Sequence, residues 1–257
     1  MSTLPTVFER MRFTKFTSAV LALAGVGALA QPLPTGMQVT QGQATAVTTG
    51  TGLNITATDK SVLQWQQFSI GAGHAVNFQL PSAGSRVLNQ VTGGNPSQIL
   101  GSLSSNGQVW LVNPNGILFG AGARVDVGAL VASTLYLSVD DFVAGRYRFS
   151  GPTASTAQVL NQGTIRTPYG GRIVLLGHSV QNSGNLQAEG GNVALLGVDS
   201  VELVDTGTPH MAVRAASMAG AVANSGAVGA GTVDVYGAAV NQQGSIVADS
   251  MGLNAHG

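Results

Sequence analysis

A phrase that returns at a fixed interval limits what this chain can fold into more than any other feature. GRIVLLG at 171–177 and GNVALLG at 191–197 are offset by 20 residues, and GTVDVYG at 231–237 follows 40 residues later. A second phrase precedes each copy: VLNQGTIRT from Val159, VQNSGNLQA from Val180, VANSGAVGA from Val222, and a further VNQQGSIVA from Val240. Apolar residues alternate inside the phrases (Ile173 and Leu175, Val193 and Leu195, Val233 and Val235), which is the period of a strand. Asn-x-Gly or Gly-Gly separates them, and both residue types tolerate positive φ at a sharp turn. Twenty residues therefore hold about three short strands and three turns. A hairpin meander has no reason to repeat one side-chain phrase at a constant period. A parallel coil does, because equivalent residues of successive coils stack about 4.8 Å apart. The reading is a β-solenoid, specifically a right-handed parallel β-helix. Ile173, Leu175, Val193 and Leu195 point inward and Asn192 outward. The span 198–221 reads as a degenerate copy with Val201, Leu203 and Val213 inward. The L-x-x-L-x-L-x-x-N phrase of a leucine-rich repeat is missing.

Composition agrees with stacking. Only 9% of residues are charged, against about 25% in an ordinary domain, and like charges stacked along a ladder would repel. With 11 basic and 11 acidic residues and no basic stripe, the chain lacks the footprint of a nucleic-acid binder. The absence of Cys removes disulfides, thiolate zinc sites and a Cys nucleophile. An apolar content of 44% excludes a disordered chain.

Residues 1–30 stand apart. Arg10, Arg12 and Lys15 precede the run SAVLALAGVGALA, which closes on Ala28-Leu29-Ala30, an A-x-A site, before Gln31-Pro32. This is the pattern of a secretory signal peptide; the run is short of the roughly 20 residues that span a bilayer. Met11 is an alternative start. Loss of 1–30 leaves 8 basic and 10 acidic residues.

Residues 31–150 are strand-like but less periodic. Trp65, Phe68, Phe78, Trp110 and Phe119 concentrate here. A solenoid end exposes unpaired strand edges and an open core, so this segment is expected to supply an N-terminal β cap. Asn113-Pro114-Asn115-Gly116, followed by Ile117, sits between two apolar strands as a strong turn, with Pro presetting φ and Asn and Gly accepting unusual backbone.

The phrases WQQFSIG from Trp65, VNF from Val76, RVLNQVTGGNPSQILGSLSSNG from Arg86, VWLVNPNGILFG from Val109 and VGALVAST from Val127 resemble the N-terminal secretion domain of two-partner-secretion exoproteins, the filamentous-haemagglutinin type. The match covers roughly Thr40 to Thr134. The resemblance implies export to the periplasm of a Gram-negative bacterium and recognition there by an outer-membrane β-barrel transporter. It implies that the chain crosses unfolded and folds outside, at the cell surface or in the medium. It makes Asn113, Pro114, Asn115, Gly116 and Ile117 the secretion motif. A second, upstream Asn-Pro motif belongs to the family's pattern; here Asn95-Pro96 stands near that role, followed by Ser97 rather than Leu. The turn either is read directly by the transporter or serves folding that draws the chain across. The resemblance also points to a surface exoprotein serving adhesion, with a host or cell-surface ligand.

The expected architecture is thus all-β: a single-stranded, right-handed parallel β-helix of the pectin-lyase-like kind. A leader at 1–30 precedes a secretion domain at 31–150, made of the β cap and first coils. Repeat coils follow at 151–257 and break off in mid-pattern, as in a truncated chain.

A catalytic site is not expected, nor a metal or cofactor. His74, His178, His210 and His256 are isolated and form no H-x-x-x-H or H-E-x-x-H pattern; they read as surface or turn residues. No G-x-S-x-G elbow occurs. Asp140-Asp141 read as strand neighbours on opposite faces, and Asp199, Glu202 and Asp205 form the one loose acidic cluster, read as solvated. The competing class is a β-helix enzyme acting on polysaccharide, which needs converging carboxylates.

Mass spectrometry of the exported protein should show Gln31 at its N-terminus. An uncleaved cytoplasmic product would contradict the leader reading.

Overall fold

The computed structural model describes residues 32–152, 155–207 and 211–249. The expected leader and its Ala30 site, His210, His256 and the residues after 249 lie outside them.

The repeat builds coils. Strand Gln158–Asn161 turns into Thr164–Arg166, bends into Arg172–Gly177, and passes to Ser179–Asn182 of the next coil. The following limbs are Asn185–Gly197, Ala221–Asn224, Ala227–Gly237, Ala239–Gln242 and Ser245–Ala248. Equivalent strands pair in parallel and in register: Val159, Val180, Val222 and Val240 form one column, and Ile165, Leu186, Val228 and Ile246 another. Ile173 and Leu175 stack on Val193 and Leu195, then on Val233 and Val235. Val159, Val180, Val222, Ile165, Leu186, Val228, Ile173, Leu175, Val193 and Leu195 join one core, Val233 and Val235 pack against it partly buried, and Val240 and Ile246 are exposed. The architecture is a parallel β-helix, with a 6-stranded sheet on one side and a longer sheet supplying the other two limbs.

Two polar devices hold the coils at their turns. Asn161 Nδ2 donates to Asn182 Oδ1 at 2.8 Å, Asn182 Nδ2 to Asn224 Oδ1 at 2.8 Å, and Asn224 Nδ2 to Gln242 Oε1 at 3.0 Å. The first three of these amides are buried, so each bond replaces a solvation that burial removes. Two residues further on, the coils approach closely. A Cβ on Gly184 would lie 2.2 Å from the Gly163 carbonyl oxygen, and one on Gly226 would lie 2.1 Å from that of Gly184. Only glycine fits that column.

The N-terminal end is capped by antiparallel pairing. Gln38–Gln41 runs against Ser61–Trp65, and Ala44–Thr49 folds back on Gly52–Ala57. The Gly52–Ala57 strand then pairs in parallel with Ala75–Gln79 and starts the coil stack. Trp65, Phe68, Phe78 and Phe119 fill the interior beneath the cap, with the Trp65 and Phe68 rings edge to face at 5.4 Å.

The span 198–221 departs from expectation. Asn185–Gly197 pairs directly with Ala227–Gly237, so no coil lies between them. Instead Ser200–Asp205 and Met211–Ser217 form an antiparallel hairpin outside the helix. It joins Tyr136–Leu137 and Tyr147–Ser150 in a separate 4-stranded sheet. That sheet packs on the outward face of the long one. Val201 and Leu203 are buried there, with Val213 partly so, in a second core with Trp110, Val131, Val174, Leu176, Ala194 and Leu196. Their alternation is that of a strand, but the face they bury against is outside the solenoid. Trp110 belongs to this outer core, with ring centroids 5.5 Å from Phe142 and 4.7 Å from Tyr147. Asp140 and Asp141 also differ from expectation. They occupy the first turn of helix Val139–Val143, where Ser138 Oγ accepts the Asp141 N–H; a carboxylate in a first turn is favoured by the unpaired N–H groups there.

Asn192 faces outward as expected but is buried, and its Nδ2 donates to Thr232 Oγ1 at 3.0 Å and Asp234 Oδ2 at 2.7 Å. Leu195→Asp should therefore cost about 3 kcal/mol or more, a charge buried without a partner. Asn192→Asp should cost about 1–3 kcal/mol, because it replaces a donor with a second carboxylate. Denaturant unfolding of both variants checks this; wild-type stability of either contradicts the register.

Candidate functional site

Strand Ser102–Val112 ends where its chain must cross from the long sheet to the 6-stranded one. Asn113-Pro114-Asn115-Gly116 makes that crossing. The Gly116 N–H donates to the Asn113 carbonyl at 3.1 Å, closing a β-turn with Asn, Pro and Gly where a type I turn favours them. The Asn115 N–H donates to Asn113 Oδ1 at 2.9 Å, the side-chain mimic of a turn that Asn forms readily. Gly116 has φ +120°, and a Cβ there would come no closer than 3.5 Å to its neighbours. Backbone conformation, not space, demands glycine at this position.

Asn113 is fully buried, and its Nδ2 reaches the preceding coil. It donates to the Asn95 carbonyl at 3.0 Å and to Ser97 Oγ at 2.9 Å. Asn115 Nδ2 donates to the Gly93 carbonyl at 2.8 Å. Strand Ser97–Ile99 pairs in parallel with Ile117–Phe119, Ser97 opposite Ile117, and the Ser97 N–H donates to the Gly116 carbonyl at 2.9 Å. The two Asn-Pro phrases thus stack on successive coils. Asn95, Pro96, Pro114 and Asn115 are exposed, while Ser97 and Ile117 are buried. The result is an uncharged surface of two prolines and two asparagines over a buried amide.

All the predicted site residues meet in this one place. Sequence reasoning noted Ser97 only as a departure from Leu and missed its role, and that of the Gly93 carbonyl, as acceptors. The 20-residue offset between Ser97 and Ile117, equal to the period of the later coils, was the signal for them. Ser at 97 is explained by its hydroxyl oxygen, which accepts the hydrogen bond from the Asn113 amide.

The acidic cluster does not converge. Asp199 Oδ1 pairs with His178 Nδ1 at 2.6 Å, Glu202 faces Arg148 at 3.6 Å, and Asp205 lies 3.6 Å from Arg86 and 3.7 Å from Arg172. Asp199 is buried, so neither it nor His178 is the isolated, solvated group that the sequence suggests. The Asp205 and Asp199 pairs tie the outer sheet to the solenoid, whereas Glu202–Arg148 joins two strands within that sheet. Arg86 also donates to the Tyr147 hydroxyl. Burial pushes that hydroxyl's pKa above its ordinary value and the Arg172 guanidinium's below its own. Among the described residues, no group of three His, Asp or Glu side chains is placed to hold a metal ion.

Asn113→Asp should destabilise the domain by about 1–3 kcal/mol, because a buried carboxylate would replace the donor to Asn95 and Ser97. Thermal unfolding of the refolded protein tests this, with unchanged stability as the contrary result.

The TPS secretion domain family matches residues 30–255. Over 190 residues, 71% of the chain, the protein is 34% identical to a "Heme/hemopexin-binding protein" of Haemophilus influenzae, of which 20% is covered. A second protein of that name from the same species is 39% identical over 105 residues, 41% of this chain and 11% of that one. The crystal structure of the HMW1 secretion domain from Haemophilus influenzae superposes with a TM-score of 0.70 at 30% identity, covering 79% of this chain and 57% of that one. The chain spans about a fifth or less of the length of the curated relatives it matches.

Proposed function

Because this chain belongs to the TPS secretion domain family, we propose that it directs its own export through an outer-membrane β-barrel of the two-partner-secretion type. It is the secretion domain of a two-partner-secretion exoprotein. In our reading the leader at 1–30 delivers it to the periplasm. It then crosses the outer membrane unfolded and forms its coils at the cell surface or outside. The exoprotein serves adhesion, not catalysis.

The buried Asn113 amide carries the proposed role of the secretion motif. It ties the Asn113–Gly116 turn to the coil laid down before it, so the stacked Asn-Pro turns act in export through folding. Each coil that closes outside removes unfolded chain from the barrel and opposes its return.

Two classes of variant test this with the partner barrel coexpressed. Asn113→Asp and Gly116→Val both damage the stack; the latter puts a β-branched residue at positive φ, costing about 1–3 kcal/mol. Both should keep leader cleavage but lose release into the medium in proportion to lost stability. Asn95→Ala and Pro114→Ala change the exposed surface and should be secreted nearly normally. If these surface variants block release at wild-type stability, the barrel reads the turns directly and the folding role fails.

A further inference from the structure

The sequence holds two Asn-Gly pairs, Asn106-Gly107 and Asn115-Gly116. Glycine has no Cβ to shield its peptide nitrogen, and this leaves the pair open to a spontaneous reaction. The glycine nitrogen, once deprotonated, attacks the Asn Cγ. A C–N bond forms, and Nδ2 leaves as ammonia with the proton that the glycine nitrogen gave up. Water then opens the five-membered imide at either carbonyl. The product is Asp, or isoaspartate with an extra methylene in the main chain. Both asparagines are exposed to the water and base this needs, and both glycines are buried.

The fold restrains the two pairs differently. Asn106 clamps the Leu80 main chain with both ends of its amide: Oδ1 accepts the Leu80 N–H at 2.8 Å and Nδ2 donates to the Leu80 carbonyl at 2.7 Å. The Gly107 N–H donates to Ser105 Oγ at 3.0 Å. The Asn115 side chain is held only through Nδ2, the leaving nitrogen, which donates to the Gly93 carbonyl at 2.8 Å and to Asn113 Oδ1 at 3.1 Å. The Gly116 N–H, the nucleophile, donates to the Asn113 carbonyl at 3.1 Å. Asn113 is in turn tied to Asn95 and Ser97. Every restraint on the Asn115 amide therefore depends on the stacking of the two Asn-Pro turns.

We propose that Asn115-Gly116 is a conditional deamidation site, inert while the turn is stacked and reactive once it lifts off Gly93. A local opening short of unfolding frees the nucleophile and the leaving group together. The product then makes the opening permanent. A carboxylate at position 115 would face the Gly93 and Asn113 oxygens with no proton to offer them, and isoaspartate would lengthen a turn that has to cross between two sheets. A chain held unfolded loses its turn by this route, and a chain whose coils have closed keeps it. The bearing of this site on export rests on the folding role proposed for the turn; the reaction itself does not.

The test ages the purified exported chain at mildly alkaline pH, native and in denaturant, and follows both sites by peptide mass spectrometry with isoaspartate detection. In denaturant the two sites should convert at similar rates. In the native chain both should slow by about tenfold or more, a ratio set by the rarity of local opening. Asn113→Ala removes the Oδ1 that holds Asn115 and the amide that holds the turn. It should speed conversion at Asn115 by about fivefold or more while Asn106 stays slow. The wild-type chain, in denaturant below its unfolding midpoint, should likewise age at Asn115 before Asn106. Asn115→Asp, which sets the product in place, should lower the melting temperature by about 3 °C. The proposal is overturned if Asn115 ages as fast in the native chain as in denaturant, if neither perturbation speeds Asn115 ahead of Asn106, or if Asn115→Asp melts like the wild type. No transporter enters these measurements, so failure here leaves the export role untouched, and failure of export leaves this chemistry untouched.

Discussion

The structure depends on each coil lying in register on the one before it. A parallel coil has no hairpin partner, so its main-chain groups are satisfied only by neighbouring coils. Register is then fixed by what can stack at about 4.8 Å: Val on Val at 159, 180, 222 and 240, and Gly over Gly at 163, 184 and 226. A slip of one residue would turn every inward side chain to solvent and drive a side chain into the glycine column. The Asn113 turn is one instance of the same rule, with an amide reaching to the preceding coil.

The outer sheet follows from a second constraint. The solenoid's long sheet is apolar on both faces where Trp110, Val131, Val174 and Ala194 stack outward. Two excursions, after Ser133 and after Gly197, leave the helix and return to cover that face. One coil further along these columns, the outward residues become Asp234 and Tyr236. The covered face ends where the sequence turns polar, and the Arg86, Asp205 and Arg172 contacts fasten its rim.

The coil period, the strand limbs and the inward residues were legible because alternation and repetition act locally. The excursion at 198–221 was not, since its Val201 and Leu203 alternate just as a coil strand does and periodicity does not say which core receives them. One signal was present: GRIVLLG and GNVALLG are apolar at consecutive positions, the mark of a strand buried on both faces, whereas GTVDVYG is not. The turn at 113–116 was readable from its residues. The burial of Asn113, and with it the partnership with Asn95 and Ser97, depends on a neighbour 18 residues away. The pairing of His178 with Asp199 lay beyond sequence because it joins a coil turn to the root of an excursion.

The amide ladder gives the solenoid a direction. Asn161 Oδ1 accepts the Gly163 N–H at 3.1 Å, which leaves Nδ2 aimed at the coil that follows, and every later rung inherits that orientation. From Asn161 onward each coil therefore presents a donor to the next arrival and an acceptor to its predecessor, the reverse of Asn113, whose amide donates backward. Assembly reads like a one-way zip whose teeth engage in the order in which the chain emerges.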